Sequence, residues 1–203
     1  MYGKQVEADL GLPVRVHNLT MHNGLNSSGL LAYLQDGALI GRTSEDVLAA
    51  VTAADIVSVT IGFNDFAITD KGNTKAIEET FETNLDAILT RIGQLRAGKP
   101  TMVRVTLIYN NGIAASAALD PDGPGTGVGF WKPLVETQNA AICRISAKHK
   151  AVCVDIYHPF NGNDGKSSPA VMGYLGPDGI HPSQLGMDTI AADLVAAGYA
   201  PLR

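Results

Sequence analysis

Basic clusters, long apolar runs and paired cysteine motifs are all missing from this chain, and each absence removes a class of function. Its 203 residues carry 15 Lys and Arg against 20 Asp and Glu, a formal net charge of -5, with a pI of about 5.4. With no Lys/Arg cluster, a phosphate backbone finds no partner, so nucleic acid is not expected to bind. No stretch approaches the ~18 apolar residues of a membrane span. Cysteine is reduced to Cys143 and Cys153, in different predicted elements and outside any CxxC, and they read as two quiet thiols. The opening "MYGKQVEADLG" lacks the basic start and apolar core of a signal peptide. "NGNDGKSS" (161–168) lacks the glutamate and spacing of an EF-hand and reads as a surface turn, so no metal is expected. Neither repeat nor low-complexity tract nor linker interrupts the chain. A composition of 45% hydrophobic and 17% charged residues fits one soluble globular domain over residues 1–203.

What is there alternates regularly. "PVRVHNL" (13–19) predicts a short strand, and "NSSGLLAYLQ" (26–35) a helix capped by Ser27 or Ser28. "TSEDVLAAVTAA" (43–54) predicts a helix with acids in its first turn. "DIVSVTIG" (55–62) reads as an apolar strand buried on both faces. Between Lys75 and Ala97, Ile77, Phe81, Leu85, Ile88, Leu89, Ile92 and Leu95 fall on one helical face. "TMVRVTLIYN" (101–110) is a strand, and a loop rich in glycine and proline runs from Asn111 to Gly129. "KPLVETQNAAICRISAKHK" (132–150) is a helix, "AVCVDIY" (151–157) a strand, 158–180 a loop and "SQLGMDTIAADLVAAG" (183–198) the last helix, with Ser183 as its cap. Such alternation predicts a mainly parallel sheet covered by helices on both faces.

In open α/β sheets, functional groups gather where strands end. The strand 55–62 ends in Gly62-Phe63-Asn64-Asp65, which any turn could use. "GPDGIHPSQLG" places Asp178 three residues before His181, a spacing at which the carboxylate can hold Nδ1 and leave Nε2 as a base. Asn64 offers an amide N–H to a developing oxyanion. Asp155 reads as a strand-end carboxylate capping a loop, and His22 and His158 as loop histidines. The loop 119–131, with Phe130 and Trp131, has the length of a lid or binding loop.

These two blocks resemble the SGNH or GDSL hydrolases, a family of esterases and lipases. Gly62-Phe63-Asn64-Asp65 matches the family's Gly-x-Asn-Asp, and Asp178-Gly179-Ile180-His181, followed by Pro182, its Asp-x-x-His. "VRVHNLTMHNGLNSSGLLAYL" is similar to the block that carries the oxyanion glycine, which places Gly24 in that role. The resemblance implies a flavodoxin-like three-layer α/β/α sandwich and a carboxylic ester hydrolase acting on small or short-chain esters. His181 and Asp178 would be catalytic, Gly24 and Asn64 would form the oxyanion hole, and no cofactor is implied.

One family element is absent. No Gly-Asp-Ser occurs anywhere, and by the register of the resemblance the chain starts inside the family's first helix, without the first strand and its nucleophile. Ser27, Ser28 and Ser116 are the substitute nucleophiles to weigh. A secretion signal would also lie in the absent part, so Met1 does not decide localisation. A sheet without its first strand exposes pairing edges, which predicts a homo-oligomer with strand 13–19 near the contact. The rival reading is a ligand-binding or interaction protein that keeps the pocket without the reaction. A flavodoxin-like nucleotide binder fits poorly, since no glycine-rich phosphate loop follows a strand.

Overall fold

Phe81, Leu85 and Ile88 are fully buried, and Leu89 and Ile92 nearly so; their spacing of three and four residues is that of one helical face. They belong to α5 (Thr74–Leu95), the longest element of the computed structural model. The structure describes residues 2–20, 24–35, 44–67, 73–113 and 127–202. The remaining elements are α1 (Tyr2–Leu10), α2 (Ser27–Gln35), α3 (Ser44–Ala53), β1 (Ile56–Val59), α4 (Phe63–Ala67), β2 (Met102–Thr106), α6 (Lys132–Lys148), β3 (Val152–Val154), α7 (Tyr157–Asn161) and α8 (Gln184–Ala196). A π-helical turn, Gly127–Trp131, leads into α6. The strands form one open sheet in the order β1-β2-β3. β1 and β2 are parallel, with Ile56 opposite Met102 and Val59 opposite Val105.

The chain divides into two units. One comprises Met1–Val14, Leu107–Ala140 and Val154–Gly198; the other Arg15–Thr106, Ala141–Cys153 and Tyr199–Arg203. In the second unit α5 packs on α2, α3 and α4, and Tyr33, Leu34, Val47 and Val51 are buried with its apolar face. In the first unit α1 packs on α8, and Val6 and Leu194 are buried.

Beyond the end of β2 the backbone is satisfied by side chains. Asn139 accepts from Ile108 N–H at 2.8 Å and returns Nδ2 to Ile108 C=O at 2.9 Å. Asn161 does the same for Asn110, with both bonds at 2.8 Å. Each buried amide acts as one residue of a neighbouring strand, meeting the need of buried N–H and C=O groups for partners. The segment 107–110 is thereby held as firmly as a strand.

Several expectations are corrected. Residues 13–19 form no strand: they are irregular, with Val16 69% exposed, and they are not part of the three-stranded sheet. β1 is shorter than 55–62 and only half-buried, with Ser58 exposed, as befits the end strand of the sheet. The cap of α2 is neither serine. Asn26 Oδ1 accepts Gly29 N–H at 2.9 Å, while Ser27 turns inward. Residues 158–161, expected as loop, form α7 together with Tyr157, which was expected to end a strand.

Cys143 and Cys153 are not two thiols but a disulfide, with Cα atoms 5.0 Å apart and no free cysteine among the described residues. The turn after α6 brings the two together, a closure that their spacing in sequence did not reveal. The bridge closes a loop with a sequence separation of 10, for which chain entropy predicts about 3 kcal/mol of stabilisation. Urea unfolding with and without reductant is expected to differ by that amount. Coincident curves would show the bridge to be absent or energetically idle.

Candidate active site

The best-defined constellation is local. Asp178 Oδ1 accepts the N–H groups of Ile180 and His181, each at 3.0 Å, and its Oδ2 lies 2.6 Å from His181 Nδ1. The backbone bonds fix the carboxylate and the carboxylate fixes the ring. With Nδ1 donating to the carboxylate, a neutral ring has its lone pair on Nε2, on a side chain that is 79% exposed. The hydrogen bond from His181 is the main influence holding the Asp178 carboxyl down to about 2, with the two backbone bonds helping.

The loop that carries this pair is itself anchored. Gly176 N–H donates to His181 C=O at 2.8 Å, and Leu175 bridges Pro182 antiparallel. Ser183 accepts Gly186 N–H at 3.1 Å and caps α8 as expected. Tyr109, on the segment held by the two asparagines, donates its hydroxyl to Ile180 C=O at 2.7 Å. Its ring stacks on Phe160 at 4.5 Å. Burial, and then the charge of Asp178, raise the Tyr109 phenol well above its ordinary range, so it remains a donor at any working pH. Sequence reasoning missed Tyr109; its signal was an aromatic at the end of "TLIYN".

The second constellation lies in the other unit. Gly62 has φ +119, a backbone conformation that only glycine adopts without strain, and so the chain turns from β1 into α4. Asn64 and Asp65 occupy the first turn of α4. Asn64 Nδ2 donates one hydrogen to Leu25 C=O at 3.0 Å, leaving the other N–H to donate. Leu25 follows Gly24, an exposed residue with φ +73. The two expected oxyanion donors are thus tied by one hydrogen bond between neighbouring positions.

The substitute nucleophiles fare differently. Ser27 is fully buried, its hydroxyl donating to Asp65 Oδ1 and accepting from Asn84 Nδ2 at 2.9 Å. Ser28 is exposed, and its Oγ accepts from Asn84 Nδ2 at 2.9 Å. Ser116 and His22 lie outside the described residues.

Asp155 and His158, weighed singly from the sequence, form a pair. Nδ1 lies 2.6 Å from Asp155 Oδ2, and Asp155 Oδ1 accepts the N–H groups of Tyr157 and His158 at 2.9 and 3.1 Å. "DIYHP" repeats the Asp-x-x-His-Pro spacing of "DGIHP", a signal legible in the sequence but not used. Among the described residues no group of three or more His, Cys, Asp or Glu is placed to hold a metal. A surface cavity of about 720 Å³ runs along α5, lined by Gln35, Asp86 and Arg91 among others, and none of the candidate residues lines it.

The family profile described as "GDSL-like Lipase/Acylhydrolase family" matches residues 1–189, and the chain belongs to that family. Among solved structures it is similar to a lipase from a goat rumen metagenome, with 21% identity and a TM-score of 0.76 over 100% of this chain and 87% of the other. It is also similar to an acetylxylan esterase from Geobacillus stearothermophilus, with 20% identity and a TM-score of 0.67 over 100% of this chain and 82% of the other. No curated protein sequence matches it.

Proposed function

We propose that this protein hydrolyses carboxylic esters with small or short acyl groups, using Asp178–His181 as its proton-transfer pair. The observation that carries the proposal is the 2.6 Å contact between Asp178 and His181 Nδ1, on a loop that Tyr109 anchors, in a member of an acylhydrolase family. Similarity to an acetylxylan esterase supports a small acyl group.

In this mechanism His181 Nε2 takes the proton of a hydroxyl nucleophile as its oxygen attacks the ester carbonyl, and Asp178 stabilises the imidazolium that forms. The Gly24 N–H and the second N–H of the Asn64 amide receive the oxyanion. His181 then returns the proton to the departing alcohol. Water, deprotonated by the same nitrogen, attacks the acyl carbonyl; the bond to the nucleophile's oxygen breaks, His181 returns the proton to that oxygen, and the carboxylic acid is released. The family serine belongs to Gly-Asp-Ser, a triplet that this sequence does not contain. No step is assigned to Ser27, whose buried hydroxyl already serves Asp65. Ser28 retains a free hydroxyl hydrogen and exposure, and stands as the substitute among the described residues.

The Asp155–His158 pair has the same local geometry, so geometry alone does not choose between the two imidazoles. The Tyr109 anchor and the family motif support His181. His158→Ala is accordingly expected to leave kcat/KM for a short p-nitrophenyl ester within about twofold, under ~0.5 kcal/mol of barrier. Loss of activity in His158→Ala with retention in His181→Ala would transfer the role to the other pair.

A further inference from the structure

Two adjacent residues of the Gly62-Phe63-Asn64-Asp65 turn hold the segment just after Gly24. Asn64 takes its first residue through Leu25 C=O, at 3.0 Å. Asp65 takes its third residue, Ser27, by both of that residue's polar hydrogens. The backbone N–H donates to Oδ2 at 3.0 Å and Oδ1 at 3.2 Å, and the hydroxyl donates to Oδ1. From α5, Asn84 Nδ2 donates to the Ser27 and Ser28 hydroxyl oxygens, each at 2.9 Å. Among the described residues nothing lies within 4 Å of where a Cβ on Gly24 would sit. On its C-terminal side Gly24 continues directly into Leu25 to Ser27, the segment that these bonds hold.

We propose that Asp65 is a positioning residue for the oxyanion donors: through Ser27 it locks the Leu25–Ser27 segment onto the turn and so sets the direction of the Gly24 N–H relative to the Asn64 amide. The inference rests on the oxyanion roles proposed above for Gly24 and Asn64. It explains why the residue after Asn64 is an acid. A carboxylate has acceptor sites enough for both hydrogens of Ser27 at once, and a fully buried Ser27 makes those bonds count for more than they would in water. Two other roles fit less well. A Ser27 nucleophile activated by Asp65 would need substrate to reach a hydroxyl with no exposed surface. Charge compensation at the start of α4 would act on a helix of only 5 residues. Burial raises the Asp65 carboxyl above its ordinary value, and the Ser27 bonds only partly offset it. The ionised group thus costs the fold stability that Asn in its place would not, and an Asp65→Asn variant is expected to fold.

The test uses the whole chain with Asp65→Ala and Asp65→Asn. By NMR, exchange of the Ser27 backbone N–H is expected to accelerate at least about tenfold in Asp65→Ala, while the amides of Leu85 and Ile88 stay within about twofold. Ester kinetics are expected to show kcat falling about 10- to 100-fold with KM unchanged, the signature of misplaced donors. Asp65→Asn, which keeps one acceptor oxygen at the same size, is expected to recover part of both losses, and it carries the test if Asp65→Ala does not fold. Unchanged Ser27 exchange, or KM and kcat altered together, overturns the proposal. If the unaltered chain cleaves no ester, the hydrolase reading fails by itself and the exchange measurement still decides whether the clamp exists.

Discussion

Replacing His181 with alanine is expected to reduce ester hydrolysis to the rate in buffer. A positioned base contributes about 10²- to 10⁴-fold, and here the same nitrogen is asked to act twice, as base and then as acid. The side chain is 79% exposed, and its local bonds run to a neighbour in the same turn, so truncation leaves no cavity and no buried orphan. A loss of activity in a chain with unchanged thermal unfolding is thus read as chemistry. Asp178, held down to about 2, stays ionised throughout the working range. Its partnership favours the folded state above the ordinary carboxylate range and fades only as pH falls towards 2. The acid limb of the pH–rate profile is accordingly not expected to report this carboxylate. Full activity in His181→Ala would dismiss the pair as a loop brace.

Asn64→Ala carries the second large effect. If its amide faces the oxyanion, removal is expected to lower kcat by about 10²- to 10³-fold, or 2.7–4 kcal/mol of barrier. The same substitution frees Leu25 C=O from its 3.0 Å bond, at about 1 kcal/mol of stability. Effects of such different size separate the roles: thermal unfolding should move slightly and kcat greatly. An unchanged kcat would return Gly62-Phe63-Asn64-Asp65 to the status of a turn.

How far the sequence could be read depended on the range of the forces involved. The face of α5 was legible because Phe81, Leu85 and Ile88 repeat with the period of the helix that buries them. Asp178–His181 was legible because its geometry closes within four residues. Ser183 capped its helix for the same local reason. The disulfide was not legible, since only the turn after α6 brings Cys143 to Cys153. Residues 13–19 have the composition of a strand, but a strand needs a partner that its own residues cannot supply. Asp65 looked like part of a turn because its partner, Ser27, lies 38 residues away in the chain, and Asn84, which also bonds Ser27, lies 57 residues from it. Tyr109 became meaningful only once two buried asparagines were seen to hold its segment and Ile180 to receive its hydroxyl.

Hydrolysis of short p-nitrophenyl esters by the purified 203-residue chain tests the central claim most directly. Turnover is expected to be proportional to protein concentration, above the buffer rate and abolished in His181→Ala. A folded chain that binds such esters or their products but releases p-nitrophenol no faster than buffer would contradict the claim, and would make this a ligand-binding member of the family instead.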